Sequence, residues 1–200
     1  MTNQIMAPRR NFTRQLCAIL ITANSLAGVV QAQETTLTTN APRTEIELFE
    51  LQTSTVIVKG IGQMATLNME TGTIFVRVKE TADIGTGRKL YGLTIGFAES
   101  NQPREKLVVD YDELESLLNG IDYLSKISYD VTPLPSFEAA YTTKSGLRIV
   151  AYSSRRQGGI QTFLQFGDNP RIPLASDQVA QFRDMISQAR NALTAMLPAK

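Results

Sequence analysis

Apolar and polar positions alternate in short runs along most of this chain, and twice the alternation gives way to a helical period. The runs at 55–61, 73–79 and 90–97 are rich in β-branched and aromatic residues and read as strands. Residues 66–69 continue or pair with the first of them, residues 70–73 carry turn chemistry, and residues 106–109 form a fourth strand. Residues 45–51 alternate charged and apolar side chains, which predicts a strand with a short helix as the alternative. Leu114, Leu117, Leu118, Ile121 and Leu124 then line one face of a helix over 111–126, with Asp110 as its expected N-cap and Glu113 completing a capping box. Past a proline-stiffened joint at 131–136 the plan repeats, with strands at 137–142, 147–152, 160–166 and 171–174. Pro173 marks the last of these as an edge strand. A long helix over 176–197 follows, capped by Ser176 and buried through Val179, Phe182, Ile186, Ala189, Leu193 and Met196.

The two helical segments share a layout at a spacing of 65 residues. Leu107, Val109, Asp112, Leu114, Leu117 and Ile121 have like residues at Ile172, Leu174, Asp177, Val179, Phe182 and Ile186. The expected fold class is therefore α+β: two tandem ββββα units, each an antiparallel curved sheet backed by one C-terminal helix. The units are expected at 44–130 and 137–200, with 131–136 as linker.

The N-terminus adds a destination. Arg9, Arg10 and Arg14 precede an apolar stretch over 16–30, and Val30-Gln31-Ala32 has the small-x-small form of a cleavage site, so residues 1–32 read as a signal peptide. The stretch is shorter than the roughly 20 residues a membrane span needs, so no transmembrane segment is expected in the mature chain. Cleavage near Ala32 predicts a secreted or periplasmic protein, led by a Thr-rich flexible segment at 33–43. Without the signal the chain has no cysteine, histidine or tryptophan and a net charge of −2. Residues 33–130 carry a net −6 and residues 131–200 a net +4, a field that can join the halves or face an anionic partner.

The order of elements over 54–197, two tandem ββββα units, resembles the whirly-type single-strand-binding fold group. The resemblance implies curved sheets whose faces bind single-stranded nucleic acid.

The missing histidine and cysteine exclude Ser-His-Asp and Cys-His nucleophilic sites and ordinary zinc and copper sites. No cofactor, metal site or catalytic residue is expected. Asp110, Asp112 and Glu113 have the oxygen chemistry of a hard-cation site but read more simply as a helix start. Glu45, Glu47 and Glu50 could share acid-base work but read as a solvated strand face. The glycine loop at 83–89 could cradle an anion but lacks both nucleotide-binding fingerprints and reads as a hairpin turn. The second unit gathers Tyr141, Lys144, Arg148, Tyr152, Arg155, Arg156 and Arg171; Lys144, Arg148, Tyr152, Arg155, Arg156 and Arg171 are the candidate polyanion-binding set, because stacking aromatics and cations hold single strands. The expectation is thus a non-enzymatic binding or interaction module with a protein partner, in contact through sheet faces or edges that no helix covers. Polyanion or single-stranded nucleic-acid binding is the alternative, and a carboxylate-only hydrolase the third reading.

Overall fold

The computed structural model describes residues 41–99, 102–154 and 158–197. The expected signal peptide and most of the leader lie outside them. The leader's last residue, Arg43, joins the first helix: its backbone N–H donates to Glu47 at 2.8 Å.

Helix α1 (Glu45–Glu50) is the short helix held as the alternative at 45–51, in place of the strand that alternation favoured. Thr44 accepts from the Glu47 amide at 3.1 Å and Glu47 accepts from the Thr44 amide at 3.1 Å, a capping box that two charged residues hide within the alternation. Ile46 and Phe49, three apart, are its buried face. Four antiparallel strands follow in the order β1 (Ile57–Met69), β2 (Gly72–Asp83), β3 (Lys89–Glu99) and β4 (Gln102–Asp110). Of the two readings for residues 66–69, the first holds: they continue the strand at 55–61, with a register shift between Gln63 and Ala65. The second sheet runs β5 (Ser136–Thr142), β6 (Leu147–Ser154), β7 (Ile160–Phe166) and β8 (Ile172–Leu174), again in sequence order. Helix α2 (Leu114–Ser125) follows the first sheet and α3 (Ser176–Met196) follows the second. The α+β class and the two ββββα sequences are as expected.

Which sheet each helix covers is less obvious from the sequence. Helix α2 packs on β5 and β6, and α3 packs on β1, β2 and β3, so each lies chiefly on the other half's sheet. Lengths match under this exchange. The 21 residues of α3 span about 30 Å and lie on strands of 11–13 residues, while the 12 residues of α2 span about 18 Å and lie on strands of 7 and 8. Gly120 in α2 is where Tyr141 of β5 comes close; a methyl group there would collide with the tyrosine ring. Beside it, Ser116 and Tyr141 share a hydroxyl–hydroxyl hydrogen bond of 2.7 Å. The result is one hydrophobic core drawn from both halves. Positions 65 apart are buried alike: Val109 and Leu174, Leu114 and Val179, Leu117 and Phe182, Ile121 and Ile186.

Two expected caps differ. A 3-10 turn, Tyr111–Glu113, precedes α2, and Asp110 makes no side-chain hydrogen bond to its own helix. The residue ahead of α3 is Ala175 rather than Ser176, and its backbone N–H donates to Gln178 at 2.8 Å. The reason in the first case is competition: the Asp110 carboxylate accepts from the amides of Glu45 and Ile46 at 2.8 and 3.2 Å, and so serves the start of α1.

Candidate interaction surface

The second sheet presents the outer face on which cations and tyrosine were expected. Leu147, Ile149 and Ala151 of β6 point into the core, which turns Arg148 and Tyr152 outward together. Arg148 donates to Glu138 and to Gln165, both at 3.2 Å, and Arg171 donates to the other Glu138 oxygen at 2.8 Å. Glu138 lies directly opposite Tyr152, whereas Arg148 lies opposite Thr142. The Arg148–Glu138 pair therefore arches along the sheet past Val150, which is fully buried although it faces away from the core. One carboxylate thus holds two guanidinium groups in place.

Lys144 is not on that face. It occupies the β5–β6 turn, where its ammonium sits 3.1 Å from Asp112 and 3.5 Å from Asp110. Its backbone N–H donates to Glu113 at 2.9 Å. Tyr141 turns inward against α2. Arg155 and Arg156 lie outside the described residues. Of the six candidates, then, Arg148, Tyr152 and Arg171 share one face, and Lys144 is separated from them.

The acid cluster behind Lys144 is the seam between the halves. Asp110 and Glu113 are buried, and one Glu113 oxygen accepts from Lys144 while the other is buried without a partner. Burial pushes the Glu113 carboxyl above its ordinary value; the Lys144 amide and charge oppose this, and Asp110 and Asp112 add to it. For Lys144, burial works to lower its pKa, but Asp112, Glu113 and Asp110 together raise it. Its ammonium sits where a hard cation would have to sit.

The remaining carboxylates are also accounted for by structure. Glu45, Glu47 and Glu50 do not share a strand face. Glu47 belongs to the capping box, and Glu50 reaches back to β1 and β2, with Lys59 at 2.7 Å, Lys79 at 2.6 Å and the Thr81 hydroxyl at 3.1 Å. Burial alone would raise Glu50, but these three partners hold it below the ordinary range. In the 83–89 loop Asp83 accepts from the hydroxyls of Thr55 and Thr86 and from the Gly85 amide. Those bonds, Thr55 first, hold its carboxyl low. Arg88 lies over the Phe49 ring at 5.2 Å and Lys89 pairs with Glu80 at 3.1 Å, so the loop's cations point to other partners than its amides.

What the expectations did not single out is the outer edge of β1. Val56, Val58 and Ile61 are 65%, 48% and 61% exposed at the start of the first sheet. Ile84 adjoins them, because its amide donates to the Val56 carbonyl at 3.0 Å. Leu48 of α1 and Leu51 just past its end are exposed as well, and Glu50 between them ties that helix to Lys59. Among the described residues no strand pairs with this side of β1. The β-branched run at 55–61 was the available signal; its edge position depends on strand order, which local pattern does not carry.

Among the described residues no helix is long and apolar enough to cross a membrane. No protein-family model matches the chain, and a search of curated proteins likewise finds no match.

Proposed function

We propose that this chain is an exported, non-enzymatic interaction module whose contact surface is the open edge of the first sheet. Export rests on the basic, apolar and small-x-small order of residues 1–32. The single observation behind the contact surface is the group of exposed apolar side chains around β1. Patches of this kind, next to unpaired strand edges, are where soluble proteins meet partners. The partner is a protein offering an extended segment, since a strand edge supplies backbone donors and acceptors in a row.

Polyanion binding is the second reading. It is supported by Arg148, Arg171 and Tyr152 sharing a face and by the resemblance in element order to whirly-type proteins. Against it stands Glu138, which neutralises part of that charge. The two readings separate in one experiment with the purified chain. Val58→Lys should abolish capture of a partner and leave the fold intact, whereas Arg148→Ala with Arg171→Ala should leave capture unchanged. Binding of single-stranded DNA that weakens steeply with salt and is lost on the arginine changes would favour the polyanion reading instead.

A further inference from the structure

We infer that the occupant of the β1 edge is a second copy of this chain, paired antiparallel with it about a twofold axis at Gly60. The inference rests on the contact surface proposed above and specifies what fills it. Three observations support it.

The first is a difference between edges. Of the four outer strands, three carry features that block pairing. β4 contains Pro103; β5, of seven residues, follows Pro135; β8 has only three residues, one of them Pro173. β1 is 13 residues long, has no proline, and bends only beyond Gln63. Its single exposed charge, Lys59, is already matched by Glu50 at 2.7 Å.

The second is Gly60. A glycine inside a strand weakens it and often marks a place where another backbone comes close. Gly60 has no positive φ, and a Cβ there would meet its nearest neighbour, the Glu80 Cβ, at an ordinary 3.7 Å. The fold of one copy has room for a side chain at this position, so nothing within that copy calls for glycine here, and the bare backbone leaves the strand edge open to a second one.

The third is self-complementarity. Antiparallel pairing centred on Gly60 sets Lys59 of each copy opposite Ile61 of the other and Val58 opposite Gly62, with no like charges across the axis. Leu48, Leu51, Val56, Val58, Ile61 and Ile84 expose on the order of 600 Å² per copy. Val58 and Ile61 lie on opposite faces of the strand, so a paired copy flanks these side chains along both faces of the joined edge, and full covering of all six in both copies sets an upper limit of about 1,200 Å², the lower end for a stable interface. The two first sheets would then run on as one of eight strands, closed by the twofold axis rather than open to further addition.

The test places a photoreactive benzophenone amino acid at position 58, or at 161 on the outer face of the second sheet, in cells producing the full chain. The expected result is an adduct of twice the chain's own mass from position 58 and none from 161. An adduct from 58 joined to another protein, without the doubled band, would overturn the second copy and leave the proposed contact surface standing. No adduct from 58 would overturn both. Sedimentation of purified variants tests the register independently. Ile61→Lys, which meets Lys59 across the axis, should weaken self-association at least tenfold more than Ile61→Glu. Equal losses would overturn the pairing about Gly60.

Discussion

Residue 110 ends the fourth strand of the first half and is an aspartate; residue 175, at the matching place 65 residues later, is an alanine. The aspartate binds two amides of α1, an α-helix with no α-helical counterpart just before β5 among the described residues, and borders the Lys144 turn. The alanine is followed by a helix that completes its own start through Gln178. Similar contrasts recur outside the core. The first sheet has strands of 9–13 residues and an open apolar edge; the second has strands of 3–8 residues and an outer face tied by Glu138. Buried apolar positions repeat across the halves because both must fill the same core. Asp110 and the exposed apolar edge of β1 have no such counterpart, and these departures are where function is to be sought.

The largest effects should fall where the halves are alike. Leu117→Ala and Phe182→Ala, equivalent and both fully buried, should each cost about 3–5 kcal/mol in urea unfolding. Because the core is shared, each should lower a single transition seen by all probes. Two separable transitions would break the comparison by making the halves independent.

Asp110→Ala should cost about 2 kcal/mol, through two lost hydrogen bonds to the start of α1. Faster hydrogen exchange at Glu45 and Ile46 would check it, and Ser176→Ala should cost under about 0.5 kcal/mol because Ser176 caps nothing.

Glu113→Gln sharpens the seam through its pH dependence. Burial holds the folded carboxyl above 4.5, so ionising it disfavours the folded state. The stability it contributes as the neutral acid is complete below about pH 4.5 and is lost as pH rises through the higher folded value. The glutamine variant should therefore be more stable than the parent near pH 7, by about 1 kcal/mol, and lose that advantage on acidification toward pH 4. Glu50 acts in the opposite sense: held low by Lys59, Lys79 and Thr81, it adds stability above about pH 4.5 that is lost as pH falls. A small effect also belongs to the second sheet's outer face, where Glu138→Ala should cost under about 1 kcal/mol, since its ion pairs with Arg148 and Arg171 are partly exposed.

Much of the fold was legible in local pattern, because strand and helix periods and the 65-residue spacing are written in neighbouring residues. β7 falls at 160–166, as its run of alternating residues indicates. Failures came where a distant residue decided the outcome. Asp110 reads as a cap for α2 until α1, 65 residues earlier, is seen to take its carboxylate. Parity along β6 placed Arg148 and Tyr152 on one face, but Glu138 entered that face through the register of β5, which no local signal carries. The exchange of helices between sheets is a matter of length matching across the whole chain. At 45–51 the error was one of period: alternation concealed the pairing of Thr44 with Glu47 and of Ile46 with Phe49.

Amide hydrogen exchange, followed in dilute and in concentrated solution, tests most directly that the molecule is contacted at the β1 edge rather than on the second sheet. Outward-facing amides within 57–63 should exchange at least tenfold more slowly when concentrated, while those of β5, β6 and β7 stay unchanged. Protection that appears in the second sheet, or exchange in β1 that ignores concentration, would contradict the account.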